Sequence, residues 1–153
     1  MKEKDIKLNL GTAVMLARQN VLLGGGPFAA MIVTPDNRIF ASVNKVTQTN
    51  DPTAHAEVST IRKACSELGT FDLSGCVLFS SCEPCPMCLG AALWARVDEV
   101  YFAADRHDAA LAGFDDAVFY EKLKTGYTGI SLRVPDSKSP FDAWCEKVDK
   151  VEY

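Results

Sequence analysis

The chain has 153 residues, 48% of them hydrophobic and 24% charged, with a formal net charge of -4. That is the profile of one globular domain able to bury a core, and its acidic balance supplies no overall field to hold a nucleic acid backbone. The opening MKEKDIKLNLGTAVMLARQ spreads charges where a signal peptide needs an apolar run, and no segment approaches the roughly 20 apolar residues of a membrane span, so the reading is a cytoplasmic protein with reduced thiols and no membrane partner.

Apolar residues recur at helical spacing from Ile6 to Leu23, through Leu10, Val14, Ala17 and Val21. Gly24-Gly25-Gly26-Pro27 closes this helix and opens a loop. PFAAMIVTP reads as a buried strand, and the turn Pro35–Asn37 leads into a second strand, RIFASVN, so the two form a hairpin ending near Asn44. Asp51-Pro52 places a cap residue before a proline at the first helical position, which predicts a helix from there through HAEVSTIRKACSEL to Gly69. Its apolar positions are Ala54, Val58, Ile61, Cys65 and Leu68. CVLFSS (Cys76–Ser81) is a continuous apolar strand, Pro84 and Pro86 punctuate a turn, CLGAALWAR is helical and EVYFAA (Glu99–Ala104) is a further strand. A helix around Asp115–Lys124, a strand near Ile130–Val134 and a last helix from Pro140 complete the order. Strands alternating with helices predict a single α/β domain over 1–153, with helices on both faces of the sheet.

The chemistry concentrates in SSCEPCPMCLG, where Cys82, Cys85 and Cys88 each stand three residues from the next. An iron–sulfur loop of this spacing wants a fourth cysteine and then a proline, where Ala92 and Leu93 stand. A redox pair at Cys85-Pro86-Met87-Cys88 fits the local pattern of a C-x-x-C opening a helix. A zinc site fits more. Cys85 and Cys88 lie at a helix start, whose positive end favours thiolates, and His55 lies at the start of the helix upstream. The reading is that His55, Cys85 and Cys88 bind the metal, water takes the fourth position and Cys82 is a buried structural thiol. Glu57 shares the inward face of its helix with Ile61, Ala64 and Leu68. A carboxylate placed there, beside a metal, is read as a general acid/base. A closed structural site stays open as the alternative. It would need a fourth protein ligand, for which His107, read as a surface residue, is the nearest candidate.

His55-Ala56-Glu57 followed downstream by Pro84-Cys85-Pro86-Met87-Cys88 matches the H-x-E…P-C-x-x-C signature of zinc-dependent nucleobase deaminases. GGPFAAMIV, NDPTAHAEVSTIRKAC, SCEPCPMCLGAALWAR, AGFDD and SPFDAWCEKVDKVEY extend the likeness over nearly the whole chain. Together they resemble the bacterial guanine deaminases of the cytidine-deaminase fold. The resemblance implies a three-layer α-β-α sandwich around a mixed five-stranded sheet, one zinc ion per subunit and hydrolysis of guanine to xanthine and ammonia. In it Glu57 takes a proton from a water that zinc has made acidic, passes it to the purine ring and returns one to the departing amino group. Asn44 would bind the base edge and Phe28 pack on its ring. Asp116 would bond the purine N–H and amino groups, with Ala56, Trp94 and the terminal Tyr153 also at the substrate. The resemblance further implies a homodimer in which the C-terminal helix, about 140–153, packs over a partner's site. Guanosine deamination, tRNA-adenosine deamination and a non-catalytic zinc module are the competing functions.

Overall fold

The computed structural model describes residues 1–126, 129–132 and 134–152. Helix α1 (Glu3–Leu22) leads into the hairpin β1 (Ala29–Val33) and β2 (Ile39–Val43), and one short turn of helix, α2 (Val46–Thr49), precedes α3 (Ala56–Leu68). Next come β3 (Val77–Cys82), α4 (Pro86–Trp94) and β4 (Glu99–Ala104), followed by α5 (Arg106–Leu111), α6 (Ala117–Lys124) and α7 (Ser139–Glu146). The sheet runs in the order β2-β1-β3-β4. β1 is antiparallel to β2 and to β3, whereas β3 and β4 are parallel.

The period of two along a strand distributes the core between the sheet faces. Ala30 and Ile32 of β1 and Leu78 of β3 face one side, where they pack with Ala56, Ile61 and Ala64 of α3 and Ala92 of α4. Met31, Val33 and Phe79 face the other, against Ala13, Ile6, Leu10 and Leu16 of α1. The expected three layers are therefore present. The register Ala30↔Ser80 and Ile32↔Leu78 keeps like faces together and sets Ser80 on the α3 side.

Several expectations are corrected in detail. The sheet has four strands among the described residues, not five. The segment foreseen as a strand near Ile130–Val134 joins no ladder in its described part, where Ile130, Leu132 and Val134 are exposed. Helix α3 starts at Ala56 rather than at Asp51-Pro52. The Asp51 carboxylate instead accepts from the Thr53 amide and hydroxyl, 2.8 and 2.7 Å away, in a local turn that competes with helix. Helix α1 is rotated from the expected stripe. Val14 and Val21 are exposed, and the buried positions are Ala13, Ala17 and Asn20, because small side chains let the helix lie close on the sheet. Helix α7 ends at Glu146, short of the helix expected to Tyr153. The stop of α3 is as expected: Gly69 takes φ 67°, a left-handed cap that glycine adopts without strain.

Leu78 is wholly buried in central strand β3. Leu78→Ala should cost about 2–5 kcal/mol of unfolding free energy, read as a shift in the midpoint of urea unfolding with the slope unchanged.

Candidate active site

The two layers of packing on one sheet face bring the N-termini of α3 and α4 together. Each helix is capped by a metal-ligand type of residue: His55 for α3 and Cys85 for α4, with Pro86 at the first position of α4. Proline suits that position, since its missing N–H would have had no helical partner. The His55 Nδ1 atom lies 3.6 Å from Cys85 Sγ and 3.5 Å from Cys88 Sγ, and the sulfurs are 3.6 Å apart. Among the described residues this is the one group of three side chains disposed to hold a metal ion.

Charge explains what the cluster needs. The hydrogen bond shared with Cys88, and the one with His55, draw the Cys85 thiol down to about 4 against the cost of burial. The same hydrogen bond and the burial of Cys88 push the Cys88 thiol upward. Placed so close together and buried, the two sulfurs oppose a second negative charge. A dication supplies what the second thiolate lacks, and the unsatisfied N–H groups at both helix starts add to its effect. Two thiolates and an imidazole form a donor set that zinc favours, with a fourth position open.

Glu57 follows one residue into α3. It is 6% exposed, its Oε1 accepts from the Ser80 hydroxyl at 2.9 Å, and its Oε2 lies 3.5 Å from Cys88 Sγ. Burial raises its carboxyl above the ordinary range, the tuning that lets a carboxyl give and take protons near neutrality.

A cavity of about 440 Å³ opens beside the cluster, walled by Gly26, Phe28, Asn44, His55, Glu57 and Asp116 among others. This size suits a small-molecule cleft. Phe28 and Phe114 meet edge to face, 4.9 Å between centroids. The Asp116 Oδ1 atom is buried with no hydrogen-bond partner among the described residues, and burial raises its carboxyl. A buried acceptor left bare at a cavity wall is costly unless a ligand meets it.

Residues 4–104 match the cytidine and deoxycytidylate deaminase zinc-binding region. The chain belongs to the cytidine and deoxycytidylate deaminase family. It is 47% identical to the guanine deaminase of Bacillus subtilis over 94% of this chain and 96% of that protein. The X-ray structure of guanine deaminase from Bacillus subtilis superposes with a TM-score of 0.92 at 45% identity, covering 100% of this chain and 99% of that one. The tRNA-specific adenosine deaminase of Aquifex aeolicus is 34% identical over 77% of this chain and 82% of that protein. Zinc is accordingly the metal that this deaminase uses, and His55, Cys85 and Cys88 are the side chains placed to hold it.

The structure gathers His55, Glu57, Cys85, Asn44, Phe28 and Asp116 around one space, with Cys88 behind them at 0% exposure. Ala56 is buried in the main core cluster and is not a wall of the cavity, because its small side chain packs inward behind Glu57. Trp94 is not a wall of the cavity. It is exposed at the end of α4, in a surface groove with Gly90, Leu93 and Arg96. Six residues beyond Cys88 the helix has turned by roughly 240°, away from the metal side. Tyr153 lies outside the described residues. Cys82 stands in the cavity wall but apart from the ligand group. Its thiol donates to the Asp105 carbonyl at 3.5 Å, and burial pushes it up to about 11. His107 is exposed.

Three contributors carried only faint sequence signals. Ser80 sits inside an apolar run. Phe114 precedes the two aspartates. Asn20 is a polar residue on the inward side of α1: its amide donates to the Gly26 and Asn44 carbonyls at 2.8 and 2.9 Å, fixing the glycine loop and the Asn44 backbone. Gly25 has no room for a Cβ, which would fall 2.3 Å from the Asn20 amide nitrogen.

These positions predict that Cys85→Ser and Cys88→Ser each lose stoichiometric zinc, whereas Cys82→Ser retains it. Elemental analysis of the purified variants measures this directly.

Proposed function

We propose that this chain catalyses the hydrolytic deamination of guanine to xanthine and ammonia, with Glu57 as its acid/base residue and His55, Cys85 and Cys88 as its zinc ligands. The observation that carries the reading is the presence in one cavity of a buried carboxyl beside the metal cluster and of a second, Asp116, with an unpartnered oxygen. Guanine presents a ring N–H next to its amino group, two donors side by side. Adenine and cytosine present a ring nitrogen acceptor at that place. A carboxylate that only accepts suits the first pattern and repels the second. The likeness to guanine deaminase over almost the entire chain supports the same substrate.

Bound zinc acidifies a water molecule enough to make it a nucleophile near neutral pH. Glu57, held by Ser80 on one oxygen, would take one proton from that water on the other and pass it to a ring nitrogen, then take the second from the hydroxyl newly bonded to carbon and deliver it to the leaving amine. Its raised affinity for protons serves both directions of that traffic. Phe28 packs on the purine ring. The Asn44 Oδ1 atom accepts from the Val46 amide at 3.3 Å, which keeps the side-chain nitrogen as a donor for the base. Asp116 orients the amidine edge. The net charge of -4 argues against a polynucleotide substrate.

The zinc-loaded protein should release ammonia from guanine at least about ten times faster than from guanosine, in kcat/KM, at a ratio set by the fit of the cavity. Glu57→Gln should lower kcat about 10³-fold or more, some 4 kcal/mol of barrier, with zinc retained. Faster turnover of guanosine would overturn the substrate, and an active Glu57→Gln would overturn the mechanism.

The second part of the proposal is a homodimer. Phe119, Leu123, Ile130, Leu132 and Phe141 are exposed on the part of the chain that follows β4, Ile130 at 99%. So much apolar surface on one region marks an interface, and a second copy of the chain is the partner expected from the family. Sedimentation should show a dimer at micromolar concentration. Removing residues from 147 onward should cut turnover strongly and leave the zinc content unchanged, because those residues are far in sequence from every ligand.

A further inference from the structure

Among the described residues, none of the three hydrophobic clusters draws on a residue beyond Tyr101. Helices α5 and α6 contain no buried residue. Yet Asp116, the cap of α6, stands in the cavity wall beside side chains from the body of the fold. Beyond the edge-to-face contact of Phe114 with Phe28, polar contacts hold it there.

The contacts converge on Arg106, the first residue of α5. Its guanidinium grips the Glu83 carboxylate through two nitrogens, with Nε 3.0 Å from Oε2, and its own peptide N–H reaches the same oxygen at 3.0 Å. The flat face of the same group covers the Tyr120 ring, 3.8 Å from the centroid. The Tyr120 hydroxyl in turn donates to the Pro84 carbonyl at 2.9 Å. Glu83 and Pro84 are the two residues before Cys85, and Tyr120 is one helical turn past Asp116. The start of α5 is itself fixed. Asp105 accepts from the amides of His107 and Asp108, and Asp108 returns the bond to the Asp105 amide. The Glu83 amide donates to the Ala104 carbonyl at 2.8 Å, so the loop that bears the metal ligand is tied to β4 as well.

We propose that Arg106, clamped between Glu83 and Tyr120, is a positioning residue that sets Asp116 against the metal cluster, and so governs how the base is held for reaction. The inference rests on the reading of Asp116 given above. Arginine suits the task because one planar group makes both the forked ion pair and the ring contact. Lysine can supply the charge alone. The Phe28–Phe114 contact cannot replace the clamp, since Phe114 lies before Asp116 and leaves the pitch of α6 undetermined.

The test is a double-mutant cycle on the zinc-loaded full chain, following ammonia release from guanine. Arg106→Ala should lower kcat/KM by about 10- to 100-fold, the size of effect expected from a misplacement near 1 Å. Arg106→Lys should recover only a small part of the loss, and Tyr120→Phe, which deletes one hydroxyl, should give a smaller loss in the same direction. In an Asp116→Ala background, Arg106→Ala should add less than about a twofold further loss. Zinc stoichiometry should stay unchanged in every variant. Additive losses in the two backgrounds, full activity of Arg106→Ala or loss of zinc with the Tyr120→Phe change would each overturn the clamp. Full activity of Asp116→Ala by itself would overturn the reading of Asp116, and the clamp with it. A damaged Asp116→Ala with additive Arg106→Ala overturns the clamp alone.

Discussion

Two sulfur atoms 3.6 Å apart beside an imidazole nitrogen form the constraint around which this protein is arranged. Buried and this close together, the two thiols resist carrying two negative charges: the hydrogen bond between them and burial both push the Cys88 thiol up. A dication resolves that conflict. The helix starts at His55 and Cys85 lend their partial positive charge to the same end. Neither helix could present its ligand at that point unless both lay on one face of the sheet. The cluster of Ile32, Leu78, Ile61, Ala64 and Ala92 enforces this. Metal chemistry at the rim therefore depends on apolar packing some distance behind it, and Glu57, on the inward side of α3, shares that packing.

Past Tyr101 the mode of adhesion changes. The body is held by apolar burial. The part that follows β4 is held by a charged pair, a cation over a ring, a hydroxyl on a carbonyl and one aromatic edge against a ring face. The boundary coincides with the end of the family-wide match at residue 104, whereas the likeness to the guanine deaminase of Bacillus subtilis continues through most of the remainder. The shared chemistry of the family is thus built on the apolar-packed layers. Asp116, proposed to read the base edge, sits on a segment attached by directional contacts. Directional contacts set angles more finely than apolar ones do, and they can change in evolution without disturbing the core.

The periodicity of apolar residues made the main elements legible. β4 falls on the expected residues, and α3 ends where Gly69 marked it. The start of α3 was misread because Asp51-Pro52 satisfies the rules for a helix cap while the Asp51 side chain is engaged by Thr53. The face of α1 was misread because alanine carries little hydrophobic signal, although it permits the closest approach to the sheet. A fifth strand was expected near Ile130–Val134 from the chain order, and the family resemblance implied the same five-stranded count. Strand formation needs a neighbour to complete its hydrogen bonds, and that segment has none among the described residues.

The amino-acid order by itself determined the chemistry available: a histidine, a glutamate and two cysteines at spacings that only a few metal sites use, embedded in an alternating α/β pattern. Residue type and local spacing are properties of the chain, so they can be read along it. Spacing even picked Cys85 and Cys88 out of the three cysteines, whereas the tertiary structure alone decided that Trp94 faces away, that Asp116 meets the cavity with a bare oxygen and that Arg106 joins Glu83 to Tyr120. Those facts are distances between residues far apart in sequence. They are settled by how helices lie on the sheet, and one-dimensional spacing holds no record of that.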